Sequence, residues 1–324
     1  MGWWQVDADT LATSRFVLSP LAETTAALMS LRWNAAEFPL EREWLRTYRP
    51  AYLERLAGDP LTAALVEAAL RPHWIADFVA PPPTELEQPF EAEVAVVRAT
   101  PAPRARRNIA EGLGGRLPSE LDRDDLGARI ADLLTWIWHT AIEPDWPRRR
   151  RLLEADVLAR TRQLSLGGWQ AALDGLRDGM RWLGDGRLQI NAFDYPPRDI
   201  SGARLLFVPN TLRRGWASWE EPRPLRYALI YRASGVLADP GAGRVVPGSL
   251  GRLVGAGRAR VLVELEQPRS TSQLVAITGL GLGSVGGHLR VLLEAGLVTR
   301  RRAGRSVLYL RTAAGEAVVR AAGG

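Results

Sequence analysis

The sequence has no cysteine, no lysine and only three histidines among its 324 residues. Without cysteine, the chain forms no disulfide and offers no thiolate metal ligand or cysteine nucleophile. Three histidines are too few for most multi-histidine metal centres. Because lysine is absent, all 42 basic side chains are arginines. We therefore expect a protein with no metal site and no cofactor.

Signals for secretion and membrane insertion are also missing. Residues 1–7 contain no basic segment that leads into an apolar one, as a secretory signal would. No segment reaches the roughly 18 uncharged apolar residues that are needed to span a bilayer. The expected location is the cytoplasm, and no membrane partner is expected.

Charge is distributed unevenly along the chain, whose formal net charge is +6. Residues 248–324 contain eleven arginines and four glutamates, a net charge of +7, which leaves the preceding 247 residues at −1. A general compositional bias toward arginine would have spread this charge over the whole chain. A nearly neutral large region joined to a small basic one predicts a body and a module that binds a polyanion.

Residues 1–240 are predicted to form a mainly helical domain with a small β-sheet at about 187–232. Ser19 suits an N-cap and Pro20 suits the first helical position, so a helix is expected over Ser19–Arg32. The apolar face of this helix makes it one candidate for dimer contact. Short segments rich in β-forming residues predict the sheet, and residues 238–243 indicate a linker. Further helices are expected at about 41–57, 60–70, 84–99, 124–141, 146–163 and 169–176.

The C-terminal region, residues 248–324, begins with three predicted helices. The first is expected over Leu253–Glu266. Ser270 and Gln273 then have the spacing of a capping box, which starts a second helix at Thr271–Thr278. A third helix is expected over Ser284–Ala295, and the glycine that follows it suits a helix end.

A predicted β-hairpin follows the third helix. Two alternating segments, 297–302 and 305–310, flank a short turn at Ala303-Gly304. A last helix, capped by Thr312, is expected after the hairpin and is the other candidate for dimer contact. This element order is that of a winged helix-turn-helix. The predicted fold class is therefore α+β, with a mainly helical N-terminal domain and a C-terminal winged helix-turn-helix.

This arrangement predicts how the module contacts double-stranded DNA. The third helix fits the major groove with its N-terminal side chains at the base edges. The arginines of the hairpin reach backbone phosphates or the adjacent minor groove, and the start of the second helix suits a phosphate. The residues expected to contact DNA are Ser270, Thr271, Gln273, Gly283, Ser284, Gly287, His288, Arg290, Arg300, Arg301, Arg302 and Arg305.

Several stretches carry a family resemblance. Gln273–Leu280, Ser284–Leu292, Glu294–Val298 and Arg301–Tyr309 resemble the ArsR-type winged-helix repressors. This resemblance covers about 75 C-terminal residues. It implies a transcription regulator, usually a homodimeric repressor that occludes a palindromic operator.

The N-terminal region resembles the uncharacterised domain attached to such regulators in high-GC bacteria. The matching stretches are Arg15–Thr24 and Trp146–Val157. In this interpretation the large domain dimerises the protein, senses an apolar small molecule, or does both.

The sequence departs from the ArsR pattern in two ways. Metal-sensing members carry cysteine and histidine pairs on their helices, whereas this chain has no cysteine. Metal sensing is therefore not expected. In addition, Gly286 and Gly287 occupy recognition-helix positions that usually hold polar side chains. Since glycine contacts no base edge, readout is expected to shift to Ser284, His288, Arg290 and the hairpin.

Three alternatives compete with this interpretation. Gly281–Gly286 satisfies the G-x-G-x-x-G pattern of a nucleotide-binding turn, which requires Leu274–Ile277 to be a strand. Arg301 stands about 20 residues further on, where that pattern has an acid. A second alternative is an enzyme with an accessory winged helix, although no catalytic constellation occurs in the body. A third is an architectural DNA-binding protein whose large domain is fully packed.

Aromatic residues of the body suggest a ligand site. Trp136, His139 and Trp146 lie close enough in sequence to line a pocket for an apolar effector, although tryptophans at helical spacing also suit a core. His139 and Glu143, one turn apart, suit either an acid–base pair or a structural one. The arginines at 148–151 suit either a second anionic site or a solvated helix face.

Overall fold

The computed structural model describes residues 2–36, 39–85, 87–173, 175–177, 179–193, 195–212, 215–221, 224–233, 246–278, 280–303 and 306–322. The chain divides into two compact units. The first comprises residues 1–150 and 163–233, and the second comprises residues 151–162 and 234–324. The second unit thus includes residues 151–162, which the sequence analysis assigned to the N-terminal domain. The predicted linker at 238–243 lies outside the described residues.

Helices form most of the first unit. Short helical turns also occur, at Asp77–Val79, Ser119–Leu121 and Trp138–Asp145. Among the described residues, no helix has the length and apolar character needed to cross a membrane. The helices are α1 (Ala8–Thr13), α2 (Pro20–Trp33), α3 (Pro39–Ala57), α4 (Pro60–Ala69), α5 (Phe90–Arg98), α6 (Ala102–Gly112), α7 (Leu126–Ile137) and α8 (Trp146–Leu173), of which residues 151–162 belong to the second unit.

The first unit also contains β-sheets. The strands are β1 (Trp3–Gln5), β2 (Arg15–Phe16), β3 (Leu70–Arg71), β4 (Trp74–Ile75), β5 (Arg181–Gly184), β6 (Arg187–Gln189), β7 (Arg198–Asp199), β8 (Arg204–Asn210), β9 (Trp216–Glu220) and β10 (Arg226–Arg232). One sheet has the order β5-β6-β1-β7 and another has the order β2-β8-β10-β9, while β3 and β4 form a hairpin. The fold is therefore mixed helix and sheet, as predicted. The sheets also recruit β1 and β2, which the sequence did not predict.

Helix α2 is enclosed by the rest of the first unit. The amide of Ala22 donates to Ser19 Oγ over 2.9 Å, so the predicted N-cap is confirmed. The Glu93 carboxylate accepts from the amide of Leu21 over 2.8 Å, and burial raises the pKa of Glu93 to about 7. Every residue from Pro20 to Leu31 is buried. The expected dimer contact through this helix is therefore wrong, because no apolar face is left for a second chain.

The second unit combines short helices with a small sheet. Strand order in the sheet is β11-β13-β12, so β12 is an edge strand. The antiparallel pairing of β12 with β13 confirms the predicted hairpin. The elements are α9 (Gly248–Val254), α10 (Ala256–Glu264), β11 (Arg269–Ser270), α11 (Thr271–Thr278), α12 (Leu282–Glu294), β12 (Val298–Ala303), β13 (Ser306–Arg311) and α13 (Ala313–Ala322).

One predicted helix of this unit is interrupted. The helix expected over Leu253–Glu266 is divided into α9 and α10 at Gly255, where φ is +86°. Side chains with a Cβ rarely adopt this backbone conformation, so glycine permits the break. Gly296, with φ of +68°, ends the last turn of α12 as predicted. Thr312 caps α13, because its Oγ1 accepts from the amide of Gly315 over 3.1 Å.

Candidate nucleic-acid interface

Helix α12 has one apolar face and one open face. Val285, Leu289 and Leu292 are buried and follow each other at helical spacing, so they form a single stripe. The helix packs with this stripe against α10 and α11. The opposite side of α12 is left to solvent.

The open face of α12 is mostly backbone. A Cβ built on Gly283, Gly286 or Gly287 would meet no atom within 4 Å. Ser284 and Arg290 are the exposed polar side chains beside these glycines. The structure therefore brings four of the predicted DNA-contact residues, Gly283, Ser284, Gly287 and Arg290, onto one helix in exposed positions.

The hairpin carries three consecutive exposed arginines on its edge strand. Arg300, Arg301 and Arg302 pair in register with Tyr309, Leu308 and Val307. None of the three arginines makes an ion pair or a side-chain hydrogen bond with a described residue. Because side chains alternate along a strand, Arg300 and Arg302 share one face and Arg301 lies on the other. Both faces of β12 are thus basic. Arg305 lies outside the described residues.

The predicted capping box at the start of α11 is present. The amide of Gln273 donates to Ser270 Oγ over 3.2 Å, and the amide of Ser270 donates to Gln273 Oε1 over 2.6 Å. Ser270 is only 6% exposed. The Ser270 side chain thus serves as the N-cap of α11, and the phosphate contact expected at this residue stays a prediction. Thr271 and Gln273 remain half-buried at the same helix start.

His288 packs against α10. A Cβ at Gly257 would lie only 2.4 Å from His288 Nε2, so the ring occupies the space that a larger residue at 257 would need. His288 is half-buried. The contact indicates that His288 helps to hold α12 in its position against α10.

Two arginines of the basic module are internal. Arg269 is 5% exposed and its Nε donates to the carbonyl oxygen of Glu264 over 2.8 Å. Arg311 is also 5% exposed, and its Nε lies 3.5 Å from Glu316 Oε1. These two charges stabilise the unit from inside, so they add nothing to an anion-binding surface. The charge count along the sequence does not distinguish them from Arg300–Arg302.

The three predicted ligand residues of the first unit have separate surroundings among the described residues. Trp146 lines a groove of about 420 Å³ in which neither Trp136 nor His139 takes part. The guanidinium of Arg55 lies 5.2 Å from the centre of the Trp136 ring. His139 Nδ1 lies 2.7 Å from Glu143 Oε2, and both side chains are more than half exposed. The described contacts of these residues are separate packing and surface contacts, and a ligand site at the three residues stays a prediction.

The nucleotide-binding alternative lacks its structural context. Leu274–Ile277 lies within helix α11 rather than in a strand, and Gly281–Gly286 comprises the N-cap residue of α12 and its first five residues. A dinucleotide-binding turn needs a strand before it. Among the described residues, no cluster of three or more histidine, aspartate or glutamate side chains is arranged to hold a metal ion.

The comparisons with known proteins concern this same segment. Residues 257–300 match the family model described as bacterial regulatory protein, arsR family. No curated protein and no solved structure matches the chain significantly. The matched residues run from α10 through α11 and α12 into β12, and include Arg290 and Arg300. Residues 257–300 are thus similar to the helix-turn-helix domain of the arsR family, which indicates a DNA-binding transcription regulator.

Proposed function

We propose that the chain is a sequence-specific transcriptional repressor of the ArsR type that occludes its operator as a homodimer. The observation that carries this proposal is an exposed basic surface that begins in the matched segment and continues along β12. Arg290 on α12 and Arg300–Arg302 on β12 are exposed and make no ion pair with any described residue. Unpaired arginines beside an open helix face suit the phosphates that flank a DNA groove.

In this proposal the second unit acts as a winged helix. Helix α12 enters the major groove with Gly283, Ser284 and Gly287 toward the bases, and the hairpin follows the DNA backbone. Arg290 and the three arginines of β12 contact phosphates. Thr271 and Gln273, at the start of α11, are proposed to add phosphate contacts. His288 acts mainly through its contact with Gly257.

The homodimer is proposed to form through α13. This helix is only partly covered in its own unit, with Gly315 buried and Val318 and Val319 half-buried. Two copies of α12 related by a two-fold axis would address half-sites about 34 Å apart on one side of the duplex. A palindromic operator is therefore expected.

The first unit is proposed to sense a small molecule. An architectural DNA-binding protein would have a fully packed body, whereas the first unit contains a cleft of about 570 Å³. Occupancy of this cleft would change the affinity of the second unit for DNA. We place the protein in the cytoplasm, where bacterial DNA lies.

The proposal is tested by fluorescence anisotropy of the full chain with the DNA upstream of its own gene. At about 0.15 M salt, specific sites are typically bound at least 10³-fold more tightly than other DNA. We expect such a difference between the upstream segment and a shuffled sequence of equal length. Light scattering should give the mass of two chains. Equal affinity for both DNAs would overturn sequence-specific repression, and a one-chain mass on the operator would overturn the homodimer.

Replacing Gly286 and Gly287 by alanine is expected to stabilise α12 while weakening DNA binding. Glycine costs a helix interior about 1 kcal/mol relative to alanine, and the added methyl groups meet no protein atom within 4 Å. The opening free energy of the α12 amides, measured by hydrogen exchange, should rise by about 1–2 kcal/mol. DNA affinity should fall, because the methyl groups occupy the face that the proposal places in the groove.

Gly251→Ala is the matched control for this double variant. Gly251 is a glycine of helix α9 with no atom within 4 Å of a built Cβ. Alanine there should stabilise α9 in the same way and leave DNA affinity unchanged. If the α12 double variant also kept its full DNA affinity, α12 would not be the groove-binding helix.

A further inference from the structure

The first unit contains a cleft that no comparison covers and that the predicted ligand residues do not line. Its volume, about 570 Å³, is within the range of roughly 300–1,000 Å³ that is usual for small-molecule sites. The walls come from the end of α2, the β3–β4 hairpin, strand β9 and residues between 190 and 198. We call this feature the aromatic cleft.

Aromatic side chains dominate the walls of the aromatic cleft. Phe193 and Tyr195 are each 44% exposed, which is unusual for large apolar side chains. The ring centres of Phe193 and His73 are 4.4 Å apart, so these rings hold each other in place. Flat aromatic walls with exposed rings favour a planar, apolar ligand body. The aromatic lining includes Trp33, Trp74, Phe193, Tyr195, Trp216 and Trp219.

The basic groups of the cleft determine the charge of the ligand. Arg71 lines the cleft, is exposed, and makes no ion pair or side-chain hydrogen bond with a described residue. Arg198 also lines the cleft, and its guanidinium lies 4.3 Å from the centre of the Trp219 ring. Glu221 partly neutralises Arg198, with 3.2 Å between Oε1 and Nη1. Arg177, the third arginine of the lining, also has an interaction of its own. Arg71 is therefore the arginine of the lining for which no counterion occurs among the described residues.

The one described acid of the lining, Asp77, makes no ion pair with Arg71 in the described part of the chain. Burial raises the pKa of Asp77 to about 6, and the charges of Glu111 and Glu221 act in the same direction. Arg104 and Arg198 act in the opposite direction but do not cancel the effect of burial. The structure gives the Asp77 carboxyl no hydrogen-bond partner among the described residues. With a pKa of about 6 the carboxyl is mostly ionised at pH 7.5. Arg71 therefore lacks this counterion because the two side chains form no described ion pair.

Hydrogen-bond donors are also in excess. Trp216 lines the cleft and is 6% exposed, and its indole N–H has no hydrogen-bond partner among the described residues. A buried donor without a partner is costly, so an acceptor on a ligand would stabilise it. An aromatic cage for a cation is disfavoured, because the guanidinium of Arg198 already occupies the Trp219 ring face.

We propose that the aromatic cleft binds a planar aromatic molecule that carries a carboxylate. The rings stack on the tryptophan and phenylalanine walls, and the carboxylate pairs with Arg71. The expected effect of ligand binding on DNA affinity rests on the proposed function. Binding itself is independent of DNA.

The test uses three probes with the same ring system and different charge. Isothermal titration calorimetry at pH 7.5 compares 2-naphthoate with the neutral 2-naphthalenemethanol and the cationic 2-naphthylmethylammonium, each titrated into the full chain. Naphthoate should bind at least about 10-fold more tightly than the alcohol, since only its carboxylate forms a charge-assisted, bidentate pair with the Arg71 guanidinium. The cation should bind most weakly. Equal affinity for the three probes, tightest binding of the cation, or no binding of any probe at millimolar concentration would each overturn the proposal.

Two variants assign the contacts, and a third serves as a control. Arg71→Gln should lower naphthoate affinity about 10-fold and leave the affinity for the alcohol unchanged, so that the charge preference disappears. Phe193→Ala should weaken naphthoate and the alcohol alike. Arg46→Gln is the control, because Arg46 is an exposed arginine of the same unit that does not line the cleft. A charge preference that survives Arg71→Gln would overturn the assigned contact.

The effect on DNA is measured separately with saturating naphthoate. Naphthoate that binds the chain but leaves operator affinity unchanged would overturn the proposed sensing role and leave the cleft assignment standing. Operator binding without any naphthoate binding would overturn the cleft and leave the repressor standing.

Discussion

Replacing Arg300, Arg301 and Arg302 together by alanine is expected to weaken DNA binding by roughly 10²–10³-fold at 0.1 M salt. Each arginine that neutralises a phosphate releases about one counterion when the complex forms. Losing three such contacts therefore lowers the exponent with which the binding constant depends on salt concentration by nearly three. The slope of log K against log salt should therefore become shallower by about 3. Anisotropy titrations between about 0.05 and 0.2 M salt measure both quantities.

Folding should not limit this experiment. All three side chains are exposed on an edge strand and have no protein partner among the described residues. Exposed substitutions of this kind usually change stability by no more than about 0.5 kcal/mol. Thermal unfolding of the variant should thus match that of the parent protein.

The alternation of the strand gives a sharper version of the same test. Arg300 and Arg302 lie on one face of β12 and Arg301 on the other. If all three arginines contact phosphates, the double variant Arg300→Ala/Arg302→Ala should make the salt slope shallower by about 2 and the single variant Arg301→Ala by about 1. Changes close to 2 and 0, or to 0 and 1, would mean that only one face of the hairpin lies against the duplex and would contradict the triple-variant value of about 3.

A matched control removes charge from elsewhere on the second unit. Arg252 on α9 and Arg162 on the part of α8 that belongs to the second unit are exposed arginines outside the proposed DNA and dimer contacts. Their double substitution by alanine should affect DNA binding only through the weaker long-range field. A salt slope reduced equally by this control and by the β12 variants would indicate a general charge effect and remove the hairpin from the mechanism.

The second unit was predictable because its signals are local. The capping box links Ser270 to Gln273, three residues away, and Gly296 ends α12 with a left-handed backbone that glycine favours. The buried stripe on α12 repeats at helical spacing. Each of these patterns is complete within about a dozen residues. The positions of most elements therefore followed from the sequence, except for the start of α9 at Gly248, the break at Gly255 and the short strand β11.

The sheets of the first unit were only partly predictable because their pairing is distant. Trp4 pairs with Leu188, and Phe16 pairs with Phe207. Strands as short as β1 and β2 have no periodicity of their own, and their pairing depends on contacts made far along the chain. The aromatic cleft depends on the same distant contacts, so its residues carried no sequence signal as a group.

The burial of individual charged residues was also difficult to predict from the sequence. Arg148–Arg151 suggested a solvated helix face, and Arg148 is indeed an exposed partner of Asp145. Arg149, in contrast, is only 6% exposed. Its Nη1 lies 2.6 Å from Oε1 of Glu23, which is fully buried. Nothing in the run of arginines marks one of them as internal, since the acid that it pairs with is 126 residues away.

This buried pair carries the second large prediction, that Glu23→Ala costs about 3–5 kcal/mol of the free energy of unfolding. Arg149 would keep its charge inside the first unit without its main counterion. The carboxylate of Glu23 also accepts from the amide of Thr211 over 2.8 Å, and Arg149 Nη1 donates to Thr211 Oγ1 over 2.5 Å. Removing the carboxylate therefore leaves several buried donors without an acceptor. Urea unfolding, followed by a probe in the first unit, measures the loss.

The double variant Glu23→Leu/Arg149→Met separates the cost of an unpaired charge from the worth of the pair. Replacing a whole buried pair by apolar residues of similar volume is often neutral or stabilising. We therefore expect the double variant to be more stable than either single variant. Asp132→Ala is the exposed control, because Asp132 pairs with Arg98 over 2.6 Å on the surface and should cost at most about 1 kcal/mol. A loss for Glu23→Ala no larger than for this control would mean that Arg149 finds another partner, for which Asp145 Oδ2, 3.5 Å from its Nε, is the nearest acid in place.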